Sequence, residues 1–119
     1  MDRIGLKKRR VFALKCSYLD DKTVILYRDR WHSKILEDHP EVADRLDTIR
    51  NMILSDGSGI VKKKKIGNSK RIALLKRVGY FQPRANYLKI ALKRASEEAF
   101  EVTTVHSVVD DTIQGMEPL

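Results

Sequence analysis

Tyr87-Leu88-Lys89-Ile90-Ala91-Leu92-Lys93 alternates, with Leu88, Ile90 and Leu92 on one side of an extended chain and Lys89, Ala91 and Lys93 on the other. A strand of this kind buries one face and leaves a basic one open. Downstream, a turn at Ser96-Glu97-Glu98 leads into Phe100–His106, where Phe100, Val102 and Thr104 oppose Glu101, Thr103 and Val105. Upstream, two more strand-like segments, Gly59–Ile66 and Arg71–Val78, meet through Gly67-Asn68. A longer loop, Gly79–Asn86, then carries Tyr80, Phe81, Pro83 and Arg84. With the apolar faces turned to a core, Lys89, Lys93 and Thr103 point together onto the open face of the sheet.

The first half of the chain supplies what covers the buried face. Val11–Cys16 and Thr23–Tyr27 read as a β-hairpin turning at Asp20-Asp21-Lys22. Asp29 is placed to cap a helix whose buried stripe contains Trp31 and Ile35, and Pro40 ends it. A second helix, from about Glu41 to Leu54, follows from the spacing of Val42, Leu46, Ile49 and Ile53. Ser55-Asp56-Gly57-Ser58-Gly59 stops it. The order is an N-terminal β-hairpin, two helices and an antiparallel β-meander. That is an α+β fold with helices on one face of a curved sheet.

The 119 residues suit one domain over 1–119, with a basic segment at 1–10 and an acidic, frayed tail at 110–119. Cys16 is the lone cysteine, so no intramolecular disulfide is expected. No stretch approaches a membrane span or a signal h-region, and the expected location is the cytoplasm. A net charge of +8, from 24 Lys+Arg against 16 Asp+Glu, is gathered in blocks at Lys7–Arg10, Lys62–Lys65, Lys70–Arg71, Lys76–Arg77 and Arg84–Arg94. Such blocks favour a polyanionic partner, nucleic acid, an acidic protein or both, over a merely solvated face. His32, His39, His106 and Cys16 are too scattered to suggest zinc, and Gly57-Ser58-Gly59 lacks the spacing of a phosphate loop. No metal or cofactor is expected.

A family resemblance rests on several short motifs. Val24–Leu26 before Arg30-Trp31-His32, then His39-Pro40-Glu41, resembles the "W-H-I … H-P-E" pattern of small bacterial and phage-associated domains of the barnase–EndoU–colicin–RelE group. Tyr87–Lys93 and Ala99–Thr104 resemble that group's last two strands, so the likeness runs from about Leu19 to Thr104. Ser33, Gly57 and Ser58, Val105 and the Lys62–Lys65 run depart from the pattern. The resemblance implies a RelE/barnase-like sheet, a metal-independent ribonuclease, and an acidic antitoxin or inhibitor as protein partner.

Metal-free RNA cleavage needs a base for the 2′-hydroxyl, an acid for the leaving oxygen and positive charge for the transition state. His32 and His39 are candidates for the first two, with Arg30 on the phosphate and Thr103 orienting it. For His39 the alternative is a structural corner, and for Arg30 a surface ion pair. Lys76, Arg77, Lys89 and Lys93 are candidate phosphate clamps, or else a solvated strand face. Tyr80 and Phe81, beside Arg84, are candidates to stack on an unpaired base. A non-catalytic nucleic-acid-binding module of the same fold, and a basic protein docking an acidic partner, are the alternatives to an enzyme.

Overall fold

The structure is a computed structural model and describes residues 9–65, 68–82, 85–109 and 117–118. β1 (Arg10–Cys16) and β2 (Lys22–Tyr27) form the expected antiparallel hairpin. A short 3-10 turn, Ser17–Leu19, and then Asp20 and Asp21 at φ near +57° and +58° connect them. Aspartate is among the few residues with a side chain that enter this left-handed region readily.

Helix α1 occupies residues 28–38 and directly continues β2. It starts one residue before Asp29, behind Tyr27, and no side chain caps it. Its middle, Trp31–Ile35, is wound as a π-turn, the Leu36 N–H reaching the Trp31 carbonyl. Trp31 and Ile35 are buried, as their spacing predicts. The second helix is shorter than expected. Pro40–Val42 forms a separate 3-10 turn, and α2 runs only over Leu46–Leu54. Proline fixes its own φ at a turn start, and His39 before it (φ −137°, ψ 67°) leaves the helical region. Ile49, Met52 and Ile53 face the core.

β3 (Ile60–Lys65), β4 (Asn68–Gln82), β5 (Ala85–Ser96), β6 (Ala99–Val109) and β7 (Glu117–Pro118) complete a sheet ordered β1-β2-β6-β5-β4-β3-β7. The expected loop Gly79–Asn86 is largely strand, because β4 and β5 extend into it. The meander is antiparallel, but β2 joins β6 in parallel, Thr23–Ile25 lying against Ala99–Glu101. The sheet is therefore mixed, and the hairpin is sewn to the meander by its last long strand. Of the tail read as frayed, Glu117–Pro118 pairs with Val61 and Lys62 of β3.

Leu88, Ile90 and Leu92 of β5 and Ile72 and Leu74 of β4 join Val24, Leu26, Ile35, Ile49 and Ile53 in one buried cluster. Each such side chain contributes roughly 1.5–3 kcal/mol on burial. The opposite face carries Lys89, Ala91 and Lys93. Among the described residues, no helix is long and apolar enough to cross a membrane.

Candidate functional site: a histidine pair beside a cationic sheet face

A one-residue irregularity in β6 decides what the open face displays. Leu92 pairs with Val102, yet Ala91 pairs with Thr104, so Thr103 is the extra residue of a bulge. Its hydroxyl donates to the Ala91 carbonyl at 3.2 Å, fastening the bulge to β5. Beyond it the alternation is reversed. Val105, level with Ile90, is buried, and His106 stands level with Lys89 on the open face.

His106 meets His39 there. The two rings stack with centroids 4.7 Å apart and planes 24° from parallel. β2 has paired with β6 only as far as Ile25 and Glu101, and the corner after α1 comes up beside the remainder of β6. Glu41, two residues after His39, holds that junction. Its Oε2 accepts from the Ser107 N–H (3.3 Å) and the Ser107 hydroxyl (3.2 Å), and lies 3.7 Å from His39 Nδ1. Partial burial pushes the Glu41 carboxyl up, but hydrogen bonds from its own and the Ser107 amide, the Ser107 hydroxyl and the His39 charge together hold it below its ordinary value.

His106 shifts the other way for its type. Burial, then the charges of His39 and Lys89, hold its imidazole below the ordinary value, against the pull of the Ser107 carbonyl and Glu41. His106 Nδ1 lies 3.2 Å from the Ser107 carbonyl oxygen. A carbonyl only accepts, so Nδ1 is the protonated nitrogen of the neutral ring and Nε2 is left with a lone pair. That is the form a general base requires.

Lys89 connects the pair to a shallow cavity of about 260 Å³ lined by Arg71, Ile72, Ala73, Lys89, Ala91, Leu92 and Thr103. Small side chains make its floor, Ala73 lying level with Ala91. Its rim is cationic, with no carboxylate among the described residues that line it. Lys93, level with Arg71 and Glu101, borders it.

The remaining candidates are distributed differently. His32 is exposed and lines another cleft, with Arg9, Arg28 and Asp29. The π-turn and the break at His39 put the two histidines out of phase, and the structure does not pair them. His39 precedes the Pro40–Val42 turn, and α2 begins only at Leu46. Arg30 is half-buried on α1. Lys76 and Arg77 cannot form one clamp: Lys76 is level with Ile60 and Leu88 on the helix side, and Arg77 with Tyr87 on the other. Tyr80 and Phe81 belong to β4, their side chains outside what is described, and Arg84 lies outside the described residues. Reading the sequence missed His106, Glu41 and Ser107. Extending the β5–β6 register past His106 brings it close to Lys89, but only the bulge fixes its face.

Among the described residues, no group of three or more histidine, cysteine or acidic side chains is arranged to hold a metal ion. Comparison of the chain with protein-family models, curated proteins and solved structures finds no match.

Proposed function

We propose that this domain is an RNA-binding, metal-independent ribonuclease whose acid–base pair is His39 and His106. The observation that carries this reading is the stacked imidazole pair beside Lys89, a residue that also lines a cationic cavity with no carboxylate among its described lining residues. His106 Nε2 takes the proton of the attacking 2′-hydroxyl. His39, with Glu41 behind it, supplies one to the leaving oxygen. Lys89 and Arg71 offset the charge of the phosphate in the transition state. Glu41 and Ser107 act as positioning residues, since they touch the histidines and the backbone.

The test is incubation of total RNA with the protein in EDTA, beside His39→Gln, His106→Gln and His32→Ala. Wild type and His32→Ala are expected to leave 2′,3′-cyclic phosphate ends. Each glutamine variant is expected to be slower by at least roughly 100-fold, the lower bound for losing an acid or base. Cleavage that survives both glutamine variants rejects the assignment.

One feature favours a second reading, a binding module without catalysis. In-line displacement puts base and acid on opposite sides of the phosphorus, whereas two rings stacked at 4.7 Å approach from one side. On that reading RNA stays intact at micromolar protein, and affinity falls steeply as salt rises.

A further inference from the structure

The cavity beside the histidines is one of three clefts that follow one another around the molecule. The second is lined by Tyr27, Lys93, Arg94, Ala95 and Glu101. It adjoins the first because Lys93 stands level with Arg71 across β4 and β5. The third is lined by Arg9, Arg28, Asp29 and His32. It adjoins the second because Arg28 follows Tyr27 in the chain, while Arg10, next to Arg9, is register-paired with Tyr27.

Backbone geometry holds the third cleft in shape. The Arg28 N–H donates to the Arg9 carbonyl at 2.8 Å, so the residue just before β1 is tied to the first residue of α1. The β1–β2 register slips between Arg10 and Phe12, a bulge of the kind that re-aims neighbouring side chains. Two guanidiniums from different elements and one imidazole therefore border a single opening. Among the described residues, the three clefts together carry six lysines and arginines against two carboxylates, Asp29 and Glu101. They cross the sheet from β4 to β1, four strand spacings or about 19 Å.

We infer that these clefts form one continuous track for an extended single strand of RNA, and that Arg9, Arg28 and His32 make a phosphate site remote from the histidine pair. The inference rests on the RNA reading of the sheet face but not on catalysis there. A strip of cations, with apolar lining described at its Lys89 end, fits a flexible strand that lays one base beside the pair and its backbone along the rest. A globular acidic protein would have to follow the same turn from sheet face to helix with a rigid surface. His32 then contacts phosphate and takes no part in proton transfer.

The experiment uses a fluorescent 12-mer of 2′-O-methyl RNA, which lacks the attacking hydroxyl and so reports binding alone, and a trinucleotide of the same chemistry. Each counterion-releasing phosphate contact on a single strand contributes about 0.7 to the slope of log affinity against log salt. Arg9→Ala/Arg28→Ala is expected to flatten the 12-mer slope by about 1.4 and leave trinucleotide binding within about twofold. Arg9→Lys/Arg28→Lys should restore the slope, and Lys34→Ala, at a residue lining none of these clefts, should not change it. Should the alanine pair fail to fold, Arg28→Gln alone is expected to remove about 0.7. An unchanged 12-mer slope overturns the track, and so does wild-type protein that fails to bind the 12-mer. Displacement of the 12-mer by polyglutamate at equal charge would overturn it in favour of an acidic protein. A wild type that shows the slope but never cleaves RNA leaves the track standing while the catalytic reading falls.

Discussion

Removing the Glu41 carboxylate tests whether the histidine corner is held as the structure implies. Glu41→Ala leaves the Ser107 amide and hydroxyl without their acceptor and takes the partner from His39. An unsatisfied buried donor costs roughly 1–3 kcal/mol. Both hydrogen bonds are slightly longer than usual, and the Glu41 side chain is 18% exposed, so about 1–2 kcal/mol is expected. With a urea slope of about 2 kcal/mol per molar, the midpoint should fall by roughly 0.5–1 M. Glu41→Gln keeps an acceptor oxygen and loses the charge, so its deficit should be smaller. The pH dependence carries the sign. Because folding holds the Glu41 carboxyl below its ordinary 4.5, the unfolded chain binds its proton first as pH falls. The carboxylate's contribution is therefore whole above that value and is lost as pH falls through the folded one. Urea titrations near neutrality and near pH 3 should show the Glu41→Ala deficit shrinking in acid. An alanine variant as stable as wild type at neutrality, or a deficit that does not shrink, would refute this account of the corner.

His106 is held below its ordinary 6.5, so folding is most stable above that value and weakens as pH falls from it toward the folded one; urea midpoints of His106→Gln should vary less than those of wild type over that window. Gly57, at φ +93°, would place a Cβ 3.3 Å from the Tyr18 ring, while Gly59, at φ +74°, has nothing within 4 Å of one. The Tyr18 ring is held by its hydroxyl, which donates to the Met52 carbonyl at 2.6 Å. Gly59→Ala should thus cost about 1 kcal/mol for the left-handed backbone alone, and Gly57→Ala about 1 kcal/mol more, read as the difference in thermal midpoints.

The strands and the buried stripes were legible because alternation and 3-4 spacing report burial directly, as Leu88, Ile90, Leu92, Trp31, Ile35, Ile49 and Ile53 show. Parallel pairing of β2 with β6 was not, since nothing local in Thr23–Ile25 specifies a partner so far along the chain. The candidate site was legible only in part. His39 and Lys89 were singled out, but His32, the expected partner, lines another cleft, because a π-turn inside α1 and the Pro40 corner separate the two histidines. His106 escaped because a register free of bulges sets Val105, not His106, level with Lys89. One extra residue at Thr103 exchanges the two, and the preference for a bulge there is a matter of tertiary fit rather than of residue type. The adjacent pair Lys76 and Arg77 illustrates the reverse error, for a block of charge in sequence becomes two faces in a strand.

The seam between β2 and β6 gives the molecule an order of assembly. The first hairpin and the strands β3 to β5 have no described strand pairing between them, and residues 99–101 supply the join. Parallel contacts between distant segments form late, because the intervening chain must first be ordered. The same strand carries Thr103, His106 and Ser107. A chain emerging from synthesis with its N-terminus first has His39, Glu41 and Lys89 before it has the strand that gathers them. Closure of the sheet and creation of the histidine pair thus depend on one and the same strand.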